Sequence, residues 1–486
     1  MAKKNKDQKE NSDLELQTII GNQITNGLGY LGGQLSDQRR KSLEYYLGDK
    51  LGTEIDGRSQ VVSTDVSDTI ESLLPNLLRV FTASDNVVRC EPMTAEDVPM
   101  ADQATAYLNH VFYKENNGFQ LLYNFFKDAL IEKNGFLKIY WDDSEKVDYE
   151  TYENLSPVEK EALQDTKDEI EIVDEEVFED EDAKEQFEAT LAQYEAQGMD
   201  VSQIQVPNFN LYNCKIKRIK KTGKVKIESV PPEEFLIERN AKTIDDADFV
   251  AHKVLMTRSD LVSMGYSQDE VDELPKSDLD IYNNEEIVRM RDIDSYNIST
   301  PTDSSTEKVL IYECYIKYDY DGDGIAELRK VVAAGSDGSH ILSNMPCDNI
   351  PFVTVTPIPM PHRFYGRSIS ELVEDVQLMK STVMRQLLDN MYLTNNNRVA
   401  IMDGMVNMDD LLTTRPGGIV RTKQPPNQVL QPLQAQPISQ QAFPLLSYLD
   451  SVREGRTGVS KEAQGLSPDT LNAKTATGVN ALMQQT

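Results

Sequence analysis

The stretch 361-PHRFYGRSISELVEDVQLMKSTVMRQLLDNMYLTNNNR-398 decides the reading of this chain. Pro361 to Gly366 cannot stay helical. Ser368 then offers an N-cap oxygen, and Glu371 stands three residues on, a Ser-x-x-Glu capping box. Ile369, Leu372, Val373, Val376, Met379, Val383, Leu387 and Met391 recur at steps of three and four, which places them on one helical face. Glu371, Glu374, Asp375, Arg385 and Asp389 fall on the other. Neither Gly nor Pro interrupts 368–393, so the spacing predicts a helix roughly 39 Å long, stopped by Thr394-Asn-Asn-Asn397. A helix so long and two-faced needs a partner.

Downstream, a Pro/Gln-rich loop leads to Phe443–Val459, then Gly465-Leu-Ser-Pro-Asp-Thr-Leu471 and Lys474-Thr-Ala-Thr-Gly-Val-Asn-Ala-Leu482. This order of helix, loop, helix and Thr/Ala/Gly-rich turn resembles the portal (head–tail connector) proteins of tailed bacteriophages, the short-tailed-phage type above all. The likeness rests on PHRFYGRSISELVEDVQ, on Arg456-Thr457-Gly458, on KTATGVNALM, on the Asn-rich helix end and on Tyr318-Asp-Tyr-Asp-Gly-Asp-Gly-Ile-Ala-Glu327. It is strongest over about 310–486, looser over 35–140, and fails in the acidic stretch 142–200.

The resemblance implies an α+β, portal-like fold with an α/β wing, a long helical stem, a small β-containing clip and a tunnel helix and loop. Its expected boundaries are an irregular, largely disordered N-terminal arm (1–35), the wing (36–362), stem helix 1 (363–396), the clip (397–440), stem helix 2 (441–457) and the tunnel segment (458–486). It implies a ring, usually of twelve copies, at one capsid vertex of the virion, with double-stranded DNA passing through the channel. Terminase, tail adaptors and the major capsid and scaffolding proteins are the partners it implies. Leu372, Val376, Val383 and Leu387 are the expected stem oligomerisation stripe. Arg398, Arg415, Arg421 and Lys423 are the expected clip docking residues. Lys461, Asn472, Lys474, Thr475 and Thr477 are the expected tunnel lining, with Lys474 repeated around the ring as a positive collar for phosphates. Such portals continue into a crown, and Thr486 lies inside the helical pattern of Val479, Leu482 and Met483.

Composition sets bounds of its own. The chain has 486 residues, 81 acidic and 49 basic, for a formal charge of -32. A protein that grips duplex DNA over a wide surface is basic, so that class is disfavoured. The four cysteines are far apart and form no CxxC, which fits free thiols in a reducing compartment. The N-terminus lacks an apolar signal core, and no run approaches a membrane span, so a soluble chain made in the host cytoplasm is expected. There is no Walker A, HExxH or GxSxG motif, and the expectation is a non-enzyme without a cofactor.

Residues 142–200 hold 23 acidic residues against Lys146, Lys160, Lys167 and Lys184. They read as an acidic insertion, either a solvated periphery or a docking surface for a basic partner. Residues 211–230 read as a basic hairpin turning at Thr222-Gly223, which either neutralises that insertion or touches nucleic acid. Asp319, Asp321, Asp323 and Glu327 follow the first half of an EF-hand loop and are the candidate ligands for calcium or magnesium. Lys330 stands where the loop needs its last carboxylate, and the other reading is an Asp/Gly turn bonded to its own backbone. Besides the portal, two functions stay open on the residues alone: an oligomeric scaffold or adhesin with a metal-stabilised β-hairpin, and a nucleic-acid enzyme.

Overall fold

The computed structural model describes residues 2–83, 86–143, 145–164, 169–181, 184–187, 189–190, 209–221, 223–276, 284–289, 303–413, 415–433 and 435–459. It is a mixed α and β fold with two compact units, Met1–Lys138 with Ile227–Thr486, and Ile139–Lys226.

The larger unit is built on an antiparallel sheet of β6 (Phe235–Ile237), β7 (Phe249–Thr257), β8 (Lys308–Tyr318), β9 (Glu327–Ala334) and β10 (His340–Pro346), in the order β10-β9-β8-β7-β6. Both faces of β8 are covered. Leu310, Tyr312, Cys314 and Ile316 face one apolar cluster. Val309 and Ile311 face another, and Tyr315 joins a third around Phe136, Phe235 and Phe352. That two-sided burial explains its nearly continuous apolar text.

The first cluster is closed by a helix that the sequence does not announce. Ala2–Tyr30 is helical, and Leu16, Ile20 and Ile24 are fully buried against the sheet. The expected irregular arm is therefore corrected: its glycines serve close packing rather than disorder. A Cβ on Gly27 would stand 3.0 Å from Leu236 Cδ2, so only glycine lets the helix lie this near β6. Pro75 lies inside a helix. Asp65–Thr82 runs through it, held by Ile70, Leu74 and Leu78 in the helical core. Gly135 opens β1 (Gly135–Asp142), where a Cβ would lie 2.1 Å from Phe125 O.

Within the same unit Glu313 on β8 is nearly buried between Lys138 and Lys330, the latter 2.7 Å away, and accepts a hydrogen bond from Tyr315 Oη at 2.6 Å. Burial alone would raise its pKa, but Lys138 and then Lys330 outweigh it and bring the carboxyl down to about 2. A carboxyl depressed on folding stabilises the fold above its unfolded pKa, near 4.3, and that stability is lost as pH falls toward 2. The difference is on the order of 3 kcal/mol. Urea titrations between about pH 5 and pH 2.5 are expected to show this loss in the native chain and not in Glu313→Gln. Parallel acid profiles for the two proteins would refute it.

The smaller unit turns the acidic insertion into a sheet. β2 (Glu145–Leu155) and β3 (Glu169–Glu179) flank β4 (Asn210–Lys221) in the antiparallel order β2-β4-β3. The lysine-rich strand is thus central, between two acidic strands. Lys217 meets Glu171 at 3.1 Å, and Arg218 meets Glu150 at 3.0 Å. Charge neutralisation inside the chain is what this pairing achieves. The expected 211–230 hairpin is corrected, because β4 and β5 (Lys224–Val230) belong to different sheets. The short helix Pro157–Gln164 occurs where Ser156 and Glu159 form their capping box.

Candidate functional site: stem helices and clip

The helix predicted from Ser368 is present as Ile369–Asn395. Ser368 Oγ accepts from Glu371 N at 3.2 Å, and Ser368 N donates to Glu371 Oε2 at 3.3 Å. Just before it, Phe364 packs into the aromatic group of Phe136 and Phe235. This anchors the helix start to that aromatic core. The helix ends where Asn396 N donates to Tyr392 O. The chain returns as helix Ser439–Thr457, which stops at Gly458 in the left-handed conformation with φ 71.

The two helices are joined by charge. Arg456 Nη1 meets Asp375 at 2.6 Å and donates to Leu372 O at 2.9 Å. Lys380 Nζ bridges Asp450 at 2.8 Å and Asp65 at 2.7 Å, and Arg453 reaches the same Asp65 oxygen at 3.2 Å. Asp65 is buried at the start of helix Asp65–Thr82. One carboxylate therefore ties three helices together.

Part of the long helix's polar face is buried. Gln377 Oε1 accepts from Val66 N at 2.8 Å, and its Nε2 donates to Tyr45 O at 2.9 Å. Arg385 is buried, donating to Val61 O at 2.8 Å and Thr53 Oγ1 at 2.9 Å while pairing with Glu54. Ser59 N donates to Asp389 Oδ1 at 2.8 Å. None of these partners shares a local pattern with the helix, which is why sequence reasoning missed them.

Part of the apolar stripe is covered within the chain. Val376 and Leu387 are buried within the chain. Leu372 packs with Val373 on the cluster of helices Ser36–Leu47, Asp65–Thr82 and Gly118–Glu132, and Val383 is half-buried. Within the single chain Val376 and Leu387 are therefore already buried and Leu372 packs on the N-terminal helices, so that part of the expected stripe is taken up inside the chain. The exposed apolar residues are others. Leu388, Met391 and Tyr392 stand at helical spacing on the long helix, and Phe443, Leu445 and Tyr448 on the return helix.

Between the helices lies a small irregular module. β12 (Arg398–Ile401) pairs antiparallel with β13 (Leu430–Leu433), and Val406 bridges Thr422. Asn407 caps the turn of helix Met408–Leu412. Of the four basic residues expected to dock partners, Arg398, Arg415 and Lys423 are exposed. Arg421 is already engaged: Nε lies 2.6 Å and Nη2 2.9 Å from the two Asp410 oxygens. This pair holds the Arg421 guanidinium pKa up and the Asp410 carboxyl down.

In the 319–327 loop, Asp319, Asp321 and Asp323 bring one oxygen each within 4.8 Å of one another. Asp319 accepts from the backbone of Gly322, Asp323 and Gly324, and Asp323 from Ile325 N. Glu327 does not join them; it pairs with Arg329 at 3.1 Å. The arrangement has the form of the Asp/Gly turn reading. Lys461, Asn472, Lys474, Thr475 and Thr477 lie outside the described residues.

Among the described residues, no helix is long and apolar enough to cross a membrane. A long capped helix returning through a compact β module to a second helix is the arrangement that the portal resemblance implies for stem and clip. Comparison with protein families matches residues 16–486 to the phage SU10 portal protein. That match takes in the buried N-terminal helix, the acidic unit, the stem and the clip, and by it the chain belongs to the phage SU10 portal protein family.

Proposed function

We propose that the chain is one subunit of a closed ring, twelve copies by the family resemblance, that sits at one capsid vertex of a phage. The ring forms the channel for double-stranded DNA during packaging and ejection. Its role is structural, and the energy for DNA movement comes from a separate terminase. Residues 397–440 are the docking surface for terminase and tail adaptors, and major capsid and scaffolding proteins surround the wing. The observation that carries this reading is the family match over nearly the whole chain, together with a stem whose outer apolar residues are exposed in the single subunit. Mass measurement and negative-stain imaging of the full chain under native conditions test it. Rings with a central channel are expected; a monomer at all accessible concentrations refutes it.

The clip makes a sharper prediction. Arg398, Arg415 and Lys423 project into solvent, while Arg421 is committed to Asp410. Reversing Arg415 and Lys423 to Glu is expected to leave rings intact and weaken adaptor or terminase binding by about tenfold or more, with a salt-sensitive deficit. Arg421→Glu opposes Asp410 and is expected to disturb the clip itself, seen as faster proteolysis of 403–423. Equal partner affinity for the native and Arg415/Lys423 rings removes docking from the clip.

A further inference from the structure

A highly charged buried place in the larger unit lies away from the long helix and its return. Helices Ser36–Leu47, Gly118–Glu132 and Asn284–Arg289 meet there beside the turn before β6. Arg289 lies 3.4 Å from Asp128, 2.7 Å from Glu132 Oε1 and 2.9 Å from Glu233 Oε1. Arg39 Nη1 lies 3.9 Å from Glu285 Oε2. The neighbouring ions are matched among themselves, Lys253 with Glu286 at 3.3 Å and His252 with Glu234 at 3.4 Å. Among the described residues, Asp128, Glu132, Glu233 and Glu285 therefore face Arg39 and Arg289, with Lys127, itself paired with Glu71 at 3.1 Å, acting on Asp128 alone. Among the described residues two negative charges stay unbalanced where Glu132, Glu233 and Glu285 are 2%, 3% and 2% exposed. Burial of that kind demands a counter-charge.

Two further observations say what the counter-charge is. Glu132 gives one carboxylate oxygen to Arg289, but its Oε2 is buried with no hydrogen-bond partner. One oxygen from each of Glu132, Glu233 and Glu285 lies within 4.8 Å of the others. Opposite ligands on a calcium ion with bonds of about 2.4 Å stand about 4.8 Å apart, so these oxygens can close on one ion by side-chain adjustment. We propose that Glu132, Glu233 and Glu285 form a site for a hard divalent cation, with calcium as the probe, which fastens helix Asn284–Arg289 to its unit. One such ion supplies the two missing positive charges. The exposed Asp319, Asp321 and Asp323 loop lacks this imperative, since its oxygens already accept from its own backbone.

Protons are the competing counter-charge: burial lifts the Glu285 carboxyl to about 7 and that of Asp128 to about 6. The test uses the full chain, freed of metal with EDTA, as the native sequence and with Asp319, Asp321 and Asp323 all changed to Asn. Calcium chloride at about 1 mM is expected to raise the thermal midpoint of both by roughly 5 °C. Glu233→Gln and Glu285→Gln are each expected to abolish that rise. Each is also expected to raise the midpoint in EDTA, because it removes one unbalanced charge. Equilibrium dialysis counts the ion independently of stability: the triple-Asn chain retains one calcium, and the same chain with Glu285→Gln retains none. A midpoint that neither calcium nor magnesium moves, but that climbs as pH is lowered from about 8 to about 6, overturns the proposal in favour of protons. Calcium retained by the Glu285→Gln chain overturns it as well.

Discussion

Asp65→Ala is expected to destabilise the chain by about 3–5 kcal/mol. Asp65 is 1% exposed and accepts from Lys380 at 2.7 Å, from Arg453 at 3.2 Å and from Ser63 Oγ. Lys380 keeps Asp450 as a second partner when Asp65 is lost. Arg453 does not fare so well. Its side chain is 6% exposed, and its Nε already has no acceptor. Alanine would leave that guanidinium buried beside a small void, which is the costly way to break an ion pair. Because the carboxylate joins helix Asp65–Thr82 to both stem helices, the return helix is expected to loosen first. Limited proteolysis within 439–457 and urea unfolding of the same samples measure both parts. Asp65→Asn, which keeps shape and one acceptor, should fall between the native chain and Asp65→Ala. An Asp65→Ala protein within 1 kcal/mol of the native one would show that the charges are solvated despite their burial.

How far the sequence carried the reading depends on where each determinant lies along the chain. Ser368, Glu371 and the apolar stripe are local, and they located the long helix to within a residue of its start. What failed was nonlocal. Periodicity reveals that Val376 and Leu387 lie on an apolar face, but not whether the cover comes from the same chain or from a neighbour. Arg421 reads as a free cation until Asp410, eleven positions away, folds back onto it. Gly21, Gly27 and Gly29 argued against a helix, since glycine costs about 1 kcal/mol there; the tertiary packing of Leu16, Ile20 and Ile24 overrides that local preference. The buried carboxylates are still harder to see, because Asp128, Glu132, Glu233 and Glu285 come from three separate parts of the chain.

Leu388→Asp with Tyr392→Asp is expected to abolish ring assembly while leaving the subunit folded. The reasoning starts from what the subunit does not cover. One side of helix Ile369–Asn395 is closed by the N-terminal helices, and Gln377, Arg385 and Asp389 are taken up by residues 45–66. Leu388, Met391 and Tyr392 receive no such cover; Tyr392 is 75% exposed. The return helix adds Phe443, Leu445 and Tyr448, likewise exposed. A row of large apolar side chains on the stem is a poor surface for a solitary subunit and a suitable one for repeated contact around a ring. Two aspartates per copy place charge in every such contact at once, so the effect multiplies with subunit number. In the free subunit the same positions face water, where the substitutions cost little. Val376→Asp is the contrasting variant, because it puts a charge into the subunit's own core and should unfold it. Analytical ultracentrifugation for assembly and far-UV circular dichroism for folding distinguish the two outcomes. Rings of native mass from the Leu388/Tyr392 double variant would show that copies meet through some other surface.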